Sequence, residues 1–290
     1  STVKCWGKDG FIDAGLGTTV DSTTPVTVLA EGESPGGAAL TGVTQVSSGA
    51  WHTCALLNDN TVQCWGFGMF GGLGDGGTSN STTPVTVLAE GENPGGAALT
   101  GVTQISTGEN HTCALLSDNT AKCWGQTATG DGSLSERYTP VTVLAEGEAP
   151  GGAALTNITQ ISAGSLHTCA LLDDNTAKCW GLGMDGQLGD GNTGVENVVP
   201  TPVSVAGLAN IAHLSLSELF TCATLLDGSV KCWGWNPSGL GDGSNTISTS
   251  PVIVDFGQNF GPQSGFPATL DVTVTDDTGS TTESVTLTVG

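Results

Sequence analysis

The stretch that decides the fold reads HTCALLNDNTVQCWG and covers residues 52–66. It recurs as HTCALLSDNTAKCWG at 111–125 and as HTCALLDDNTAKCWG at 167–181, and a more divergent fourth copy reads FTCATLLDGSVKCWG at 220–234. Counted from Cys5, the second cysteines of the copies follow one another at intervals of 59, 59, 56 and 53 residues. A period in this range is typical of solenoids and β-propellers.

Each copy is predicted to form a β-hairpin. In the first copy Asp59 and Asn60 lie midway between the two cysteines, and Gly228 takes the position of Asn60 in the fourth copy. Asn in exchange with Gly indicates a left-handed backbone conformation, which suits a three-residue loop that combines a type I turn with an αL residue. Pairing outward from this turn joins Leu57 to Thr61. It also places the two cysteines opposite each other at a non-hydrogen-bonded site, where Cα atoms lie about 4.5 Å apart.

That separation is within the reach of a disulfide bond. We therefore predict four disulfides, one per hairpin: Cys54–Cys64, Cys113–Cys123, Cys169–Cys179 and Cys222–Cys232. Zinc ligation and reduced core thiols stay open as alternatives, although Phe220 replaces the histidine in the fourth copy and no copy supplies a fourth ligand. Disulfides imply an oxidising compartment, which predicts an extracellular or cell-surface protein. The ninth cysteine, Cys5, is expected to remain unpaired or to form an intermolecular bond.

Two strand-like segments precede each hairpin and complete a four-stranded unit. Ahead of the second hairpin they are PVTVLA at 84–89 and VTQIS at 102–106. Four short strands rich in Val, Thr and Ile suit one blade of a β-propeller, so the predicted fold class is all-β. Four complete units are expected, ending near Gly66, Gly125, Gly181 and Gly234. Partial units remain at both ends, TVKCWG at 2–7 and PVIV at 251–254.

The C-terminal region departs from the repeat. We assign residues 1–256 to the propeller, 257–267 to a linker or irregular loop, and 268–290 to a β-hairpin that turns at Asp277-Thr278-Gly279. The hairpin is expected to dock on a neighbouring subunit, because an unpaired strand edge is a template for another chain. The competing expectation is that it closes the ring within the chain, in a composite blade with the partial strands at the two ends of the array.

Three copies carry the motif G-x-x-H-T-x-A-L, at 49–56, 108–115 and 164–171, each hairpin closes on W-G, and Gly-rich loops such as GGLGDG (71–76) follow. With these motifs in phase, the sequence resembles the regulator of chromosome condensation repeat family over roughly residues 1–255. The resemblance implies a β-propeller, seven-bladed in the well-known members. Nuclear members bind chromatin and catalyse nucleotide exchange on a small GTPase. Secreted bacterial members, one class of which inhibits β-lactamases, are closer to this acidic, Cys-paired chain.

Charge and composition narrow the partners. The chain has 6 Lys and Arg against 28 Asp and Glu, for a net charge of −22. A surface this acidic repels phosphate backbones and anionic membranes, so nucleic-acid binding is not expected. Membrane insertion is not expected either, because no apolar run approaches the roughly 18–20 residues that span a bilayer. The 45 glycines and the low charged fraction of 12% argue against a helical protein.

One candidate site is an acidic rim. Three units insert E-G-E-x-P-G-G-A-A-L-T, and equivalent loops of a propeller project side by side, so their carboxylates are candidates for Ca²⁺ or partner binding. The rim comprises Glu31, Glu33, Glu90, Glu92, Glu146 and Glu148. A set of solvated loops is the alternative interpretation. The aspartates of the Gly-rich loops are a second candidate for Ca²⁺, although capping of their own turns explains them as well. No other cofactor and no other metal site is predicted.

The remaining candidates also have structural interpretations. The histidines of the H-T-C motif are expected to pack and hydrogen-bond between strands. Trp51 and Trp235 lie out of phase with the core tryptophans and are candidates for exposed binding aromatics. Asn80, Asn110 and Asn157 are glycosylation sequons by pattern. No nucleophile motif or P-loop is present, so no catalytic residue is predicted.

These features predict a non-enzymatic extracellular structural or adhesive β-propeller, a candidate subunit of a surface filament assembled by β-strand addition. Its partners would be copies of itself or other surface proteins. The alternative is a secreted binding protein or inhibitor that uses one propeller face. That alternative requires divergent, aromatic-rich loops on one face.

Overall fold

The computed structural model describes residues 2–7, 15, 17–126, 129–237 and 240–255, together with the backbone of two short strands at 273–274 and 281–282. All regular structure in these residues is β-strand, which confirms the predicted all-β fold class. The described part of the chain contains no helix with the length and hydrophobicity that a membrane span requires. Two compact units are present, Ser1–Val254 and Asp255–Gly290.

The first unit is built from antiparallel sheets whose strands are consecutive in the chain. A two-stranded sheet of β1 (Lys4–Gly7) and β2 (Ser22–Thr27) comes first. Blade 1 contains β3 (Val43–Ser48), β4 (His52–Leu57), β5 (Val62–Gly66) and β6 (Ser81–Thr86). Blade 2 contains β7 (Val102–Thr107), β8 (His111–Leu116), β9 (Ala121–Gly125) and β10 (Arg137–Thr142).

Blades 3 and 4 repeat the same order. Blade 3 contains β11 (Ile158–Ala163), β12 (His167–Leu172), β13 (Ala177–Leu182) and β14 (Val198–Ser204). Blade 4 contains β15 (Ile211–Leu216), β16 (Phe220–Leu225), β17 (Val230–Gly234) and β18 (Ser248–Ile253). In the second unit β19 (Thr273–Val274) pairs antiparallel with β20 (Thr281–Thr282). The predicted linker at 257–267 and the predicted turn at 277–279 lie outside the described residues.

The predicted hairpin register is confirmed. Cys54 lies opposite Cys64 and Leu56 opposite Val62, and the same register recurs in the other three hairpins. Asn60 has a φ of 66° and Gly228 a φ of 84°, as the left-handed turn position requires. The preceding Asp59 accepts hydrogen bonds from both the backbone N and the Oγ1 of Thr61, which fixes the turn.

The predicted grouping of strands into units is wrong at the blade boundary. The segment at 84–89 was expected to begin the second unit, but β6 pairs with β5, with Val85 opposite Cys64, and completes blade 1. In the same way Val252 lies opposite Cys232, so the strand at 251–254 is the fourth strand of blade 4 and not a stray first strand. It is therefore not available for a composite blade. The pairing crosses a Gly-rich loop of more than ten residues, and local sequence patterns do not determine which sheet a strand joins after such a loop.

The hydrophobic core lies between successive blades. The Cys54–Cys64 pair of blade 1 packs in one buried cluster with Ile105 and Trp124 of blade 2. Blades 2 and 3, and blades 3 and 4, form equivalent clusters around Trp180 and Trp233. Each of these tryptophans is fully buried. The indole of each blade is therefore the largest apolar group in the contact with the preceding blade.

Gly74, in the Gly-rich loop of blade 1, makes this packing possible. Its φ is 69°, and a Cβ at this position would lie 2.8 Å from Nε1 of Trp124 and 3.0 Å from Cγ1 of Val87. The glycine therefore provides both the left-handed turn and the space that the indole needs. The same contact joins Gly15 to Trp65, Gly130 to Trp180 and Gly189 to Trp233.

Candidate functional site

The H-T-C motif connects neighbouring blades by a chain of hydrogen bonds. Nε2 of His52 lies 2.7 Å from Oγ1 of Thr112 in the next blade, and that hydroxyl donates to the carbonyl oxygen of Gly72. Nε1 of Trp124 donates to the same carbonyl at 2.9 Å. Because the threonine proton is used for Gly72, the histidine must donate from Nε2, and its Nδ1 carries the lone pair.

The histidine–threonine contact recurs at the next two joints. His111 reaches Thr168 at 2.8 Å, and His167 reaches Thr221 at 2.9 Å. At the last joint Thr221 and Trp233 both donate to the carbonyl of Gln187. The predicted hydrogen bonding between strands is therefore present, and it joins strands of different blades.

Burial keeps these histidines neutral. Desolvation lowers the pKa of His111 to about 4, and desolvation together with the positive charge that His111 would carry lowers the pKa of His52 to about 4. The pKa of His167 falls to about 3 for the same two reasons. A group with this pKa and no access to solvent is suited to a structural relay at neutral pH rather than to proton transfer.

A second set of bonds joins the first strands of adjacent blades. The side chain of Gln45 donates from Nε2 to the carbonyl of Ile105 and accepts from the backbone N of the same residue. Gln104 makes this pair of bonds with Ile161, and Gln160 makes it with Leu214. Each glutamine thus acts as a one-residue extension of the neighbouring strand.

The acidic rim divides into two kinds of carboxylate. Glu90 accepts from the backbone N and Oγ1 of Thr142, and it receives Nζ of Lys122 at 2.5 Å. Glu31 makes the equivalent bonds with Thr86 and Gln63. Glu146 makes them with Ser204 and Lys178. The hydrogen bond from Lys178 lowers the pKa of Glu146.

The second carboxylate of each insertion folds over its own loop. An Oε2 atom of Glu33, Glu92 or Glu148 lies 2.2–2.3 Å from the point where a Cβ on Gly37, Gly96 or Gly152 would stand. Three of the six rim carboxylates thus bind residues of the next blade, and the other three lie over their own loops. Within the described residues no group of three or more His, Cys, Asp or Glu is arranged to hold a metal ion.

The aspartates of the Gly-rich loops also bond locally. Asp75 accepts from the backbone N of Gly77, two residues ahead. Asp131, Asp190 and Asp242 accept in the same way from Ser133, Asn192 and Ser244. This confirms the turn-capping interpretation of these residues.

The structure places the predicted cysteine pairs at bonding distance. The four Sγ–Sγ separations are 2.03–2.12 Å and the Cα–Cα separations are 4.0–4.1 Å. The first three pairs are buried, whereas Cys222 of the fourth pair is half-buried. Cys5 lies in β1, opposite Val26 of β2.

The sequons differ in accessibility. Asn110 is buried in the loop between β7 and β8. Oδ1 of Asn80 accepts a hydrogen bond from the backbone N of Gly68. Asn157 is exposed with a φ of 62°, at a position where the other units have Gly42 and Gly101. The left-handed turn alone therefore accounts for an asparagine there.

A concavity of about 480 Å³ lies at one end of the blades. It is lined by the loops that connect the first and second strands of all four blades, and it includes Trp51, Glu109 and Glu218. Trp51 is half-buried, with Nε1 3.4 Å from Oε1 of Glu109, and Oγ of Ser165 donates to the other carboxylate oxygen. The predicted binding aromatic thus lines a concave surface, while Trp235 is exposed.

Most exposed large apolar residues lie at this same end. Because neighbouring strands are antiparallel, the loops between the third and fourth strands emerge beside the loops of the concavity. Seven exposed apolar residues lie in these third-to-fourth-strand loops or directly after them: Val20, Met69, Leu134, Tyr138, Val195, Trp235 and Ile247. We call these seven residues the loop face. The sequence did not reveal it, since the loops differ from one another and their common position depends on the sheet topology.

The fold and these joints agree with the comparison to known families. Two models of the regulator of chromosome condensation (RCC1) repeat match the chain, one at residues 43–71, 102–130 and 158–187 and the other at 59–115 and 179–224. The chain belongs to the RCC1 repeat family. The family motifs G-x-x-H-T and W-G are thus the residues of the histidine relay and of the buried indole.

Several RCC1-type proteins are similar in sequence. The ultraviolet-B receptor UVR8 of Arabidopsis thaliana is 28% identical over 302 residues, which cover 96% of this chain and 63% of the receptor. The probable E3 ubiquitin-protein ligase HERC6 of Homo sapiens is 28% identical over 72% of this chain and 20% of its own length. The chain therefore spans less than two thirds of these relatives.

Solved structures show the same fold. The yeast RCC1 protein Prp20 bound to Kap60 is 22% identical, with a TM-score of 0.68 over 89% of this chain and 58% of the other. Human WBSCR16 is 21% identical, with a TM-score of 0.65 over 86% of this chain and 60% of the other. Similarity at this level of identity establishes the β-propeller architecture.

Proposed function

We propose that the protein is a non-enzymatic extracellular structural or adhesive β-propeller, a subunit of a surface filament that grows by β-strand addition. One observation carries the proposal: among the described residues, β1 has a strand partner on one side only. Its counterparts β5, β9, β13 and β17 each pair with a strand on both sides, whereas in the described chain β1 pairs with β2 alone.

A groove of mixed polar and apolar character lies beside β1. It has a volume of about 340 Å³ and is lined by Thr2, Val3 and the first four residues of β3, 43–46. Val46 is 41% exposed, although its counterparts Ile105 and Ile161 are 1% exposed. A strand added beside β1 would cover this valine and extend the β1–β2 sheet.

The segment 268–290 of a second copy has the required chemistry. It contains alternating Val and Thr residues, as in LDVTVT at 270–275 and SVTLTV at 284–289. Main-chain hydrogen bonds would provide the affinity, and the alternating valines would face the groove. A head-to-tail contact of this kind produces a filament unless its rotation closes a ring.

The four cysteine pairs support the extracellular location. Each pair cross-links the two strands of one hairpin and so stabilises it. Disulfide bonds form and persist in the oxidising environment outside the cell. The names of the relatives include ubiquitin ligases, but the chain matches only a fifth of HERC6, so a non-enzymatic role is proposed on the absence of a catalytic motif in the sequence.

Deletion of residues 268–290 tests the proposal. We expect the truncated chain to fold and to sediment as a monomer, while the full chain forms a concentration-dependent series of oligomers. A synthetic peptide of residues 268–290 should compete with the assembly of the full chain. A truncated chain that loses its fold, or a full chain that stays monomeric at every concentration, would contradict strand addition between copies.

The loop face favours a second candidate function, a secreted binding protein that engages a protein partner. Its loops are divergent and carry aromatic residues, and they emerge beside the concavity that contains Trp51. The test is adhesion of the labelled protein to cells of the source organism. Leu134→Ser with Val195→Ser should weaken it, and the matched pair Leu226→Ser with Ile253→Ser, outside the loop face, should not.

A further inference from the structure

We infer that the concavity binds a positively charged side chain of a protein partner, with Glu109 as the counter-charge and Trp51 as the aromatic contact. This inference rests on the second candidate function, that of a binding protein, and names the chemical group that such a partner must present. The side chains concerned lie on the loops between the first and second strands of blades 1, 2 and 3.

The wall of the concavity is built from closely packed backbone. Gly49, Gly108 and Gly164 line it, each directly after the first strand of its blade. A Cβ on any of the three would collide with a carbonyl oxygen of the following loop. Each glycine also donates its amide to the histidine carbonyl of its own motif. The loops therefore keep a fixed spacing, and the side chains that follow the glycines are preorganised for binding.

The repeat diverges where it faces the concavity. The segments GAWHTCALL (49–57), GENHTCALL (108–116) and GSLHTCALL (164–172) differ only at the two positions after the glycine. The contacts between blades use the residues that recur, such as the histidine and the threonine. The two variable positions carry no such contact in common, so they are available for recognition on a rigid scaffold.

The carboxylate of Glu109 is held by the blades on both sides of it. Its Oε1 accepts from Nε1 of Trp51 in blade 1 at 3.4 Å, and its Oε2 accepts from Oγ of Ser165 in blade 3 at 2.5 Å. The backbone N of Glu109 also donates to the carbonyl of Ser165. A carboxylate offers about four acceptor sites, so both oxygens can still accept from a ligand. The carboxylate is thus oriented without the ligand.

Glu109 is half-buried and has neutral donors only. Among the described residues that line the concavity there is no Lys, Arg or His, and the second carboxylate is that of Glu218. The ion pairs of the described chain involve other carboxylates, those of Glu90, Asp131 and Glu146. Partial burial raises the cost of a charge without a counter-charge, so a cation gains more here than at a fully solvated carboxylate.

Trp51 makes the site suited to an organic cation. Its indole is half-buried and directs its N–H edge at Glu109. Guanidinium and ammonium groups are attracted to the face of a tryptophan, and a guanidinium group can in addition bond a carboxylate through two N–H groups. An arginine side chain therefore matches the pair of Trp51 and Glu109 best.

The loop face indicates that a protein supplies this cation. It emerges beside the concavity and exposes Leu134 at 54% and Val195 at 79%. A free amine would leave these side chains in water, whereas a partner that inserts an arginine into the concavity would cover them with its own apolar surface. The occupant is thus an arginine with apolar neighbours on a projecting loop of the partner.

NMR titration of the full chain tests the cation site. The probe is N-acetyl-arginine amide, and the control is N-acetyl-citrulline amide, which has nearly the same shape and no charge. We expect the arginine probe to shift the indole N–H resonance of Trp51, assigned with Trp51→Phe, and to bind about tenfold or more tightly than the control. Equal shifts with the two probes, or no shift, would refute the site.

A pair of glutamate variants separates the site from the charge of the whole molecule. Glu109→Gln removes the charge and keeps an oxygen acceptor, whereas Glu92→Gln makes the same change of charge in an insertion loop at the opposite end of the blades. We expect Glu109→Gln to weaken binding of the arginine probe about tenfold or more, and Glu92→Gln to leave it nearly unchanged. Equal losses would contradict a local site. Unshifted resonances of the other tryptophans show that each variant is folded.

A cyclic peptide that presents Leu-Arg-Leu tests the protein source. We expect it to bind about tenfold or more tightly than N-acetyl-arginine amide, and Leu134→Ser with Val195→Ser should abolish this advantage without affecting the smaller probe. Equal affinities of the two probes for the wild type would refute a protein partner.

Cell adhesion distinguishes this inference from the binding function on which it rests. Adhesion that survives Glu109→Gln but is lost in the Leu134→Ser, Val195→Ser variant would refute the role of the concavity and leave the binding function standing. A wild-type protein that neither adheres nor binds the arginine probe would refute both.

Discussion

At the scale of single residues, the repeat motif is explained by contacts between blades. His52 and Trp124 come from successive blades, yet both are bound to the Gly72 carbonyl, the first through Thr112 and the second directly. Family motifs that the sequence places inside one hairpin are thus determined by the neighbouring hairpin. Phe220 ends the series in blade 4, where the described chain offers no further blade to receive a histidine.

The histidine relay predicts a loss of stability in mild acid. The pKa values of His52 and His111 are lowered to about 4, so below the unfolded value near 6.5 the unfolded state binds protons that the folded state does not. The neutral histidines therefore contribute fully to the free energy of unfolding above about pH 6.5. As the pH drops toward 4, the free energy of unfolding should fall by about 1.4 kcal/mol per pH unit for each histidine. Urea denaturation between pH 7 and 4.5 measures this slope.

A His111→Gln variant provides the control for the pH experiment, because the amide of Gln can still donate to Thr168 but does not titrate. Its stability should be lower at pH 7, and its slope with pH should be shallower than that of the wild type. An unchanged slope would mean that other groups cause the acid sensitivity.

Gly74 offers a test of the packing of the buried indole between blades. Gly74→Ala places a methyl group 2.8 Å from Trp124, whereas Gly91→Ala places one in open space at a similar positive φ, 78° against 69°. Both variants should lose about 1 kcal/mol for the left-handed backbone, and Gly74→Ala should lose a further 1–3 kcal/mol by overpacking, roughly. Thermal unfolding of the two variants measures the difference, and equal melting temperatures would contradict the packing role of Gly74.

At the scale of elements, the hairpin was predicted well because its determinants are local. The Asp–Asn turn and the alternation of side chains fix the register of Cys54 against Cys64 without help from the rest of the chain. The fourth strand of each blade could not be assigned in this way, since β6 joins β5 across a Gly-rich loop whose contacts lie in the next blade. The loop that carries Gly76, for example, is held by the carbonyl of Tyr138 in blade 2.

The four hairpins also predict an order of reduction. The pairs Cys54–Cys64, Cys113–Cys123 and Cys169–Cys179 are covered by the following blade, whereas Cys222 is half-buried. Access limits thiol–disulfide exchange, so mild reductant should open Cys222–Cys232 first. Timed alkylation with mass spectrometry measures this order, and non-reducing digestion should show all four intra-hairpin links before reduction. Cross-blade links, or simultaneous reduction of all four, would contradict the hairpin assignment or its burial.

At the scale of the whole molecule, the sequence and the structure contribute different parts of the account. Periodicity predicted a β-propeller of four complete units, and the RCC1 repeat comparison supports that architecture. The loop face was not predictable, because residues such as Leu134 and Val195 share no motif and become neighbours only through the order of the strands. The acidic rim stays a prediction as a binding site, and the structure adds that three of its carboxylates bind residues of the next blade, as Glu90 binds Thr142.

The edge of β1 that has no strand partner among the described residues is the feature on which the proposed assembly depends. Hydrogen exchange of the amides at residues 2–7, followed by mass spectrometry over a range of protein concentrations, tests it most directly. We predict that these amides become protected as the concentration rises and lose protection on dilution, while the amides of β5, paired on both sides, stay protected throughout. Protection of residues 2–7 that is the same at every concentration would contradict strand addition between copies.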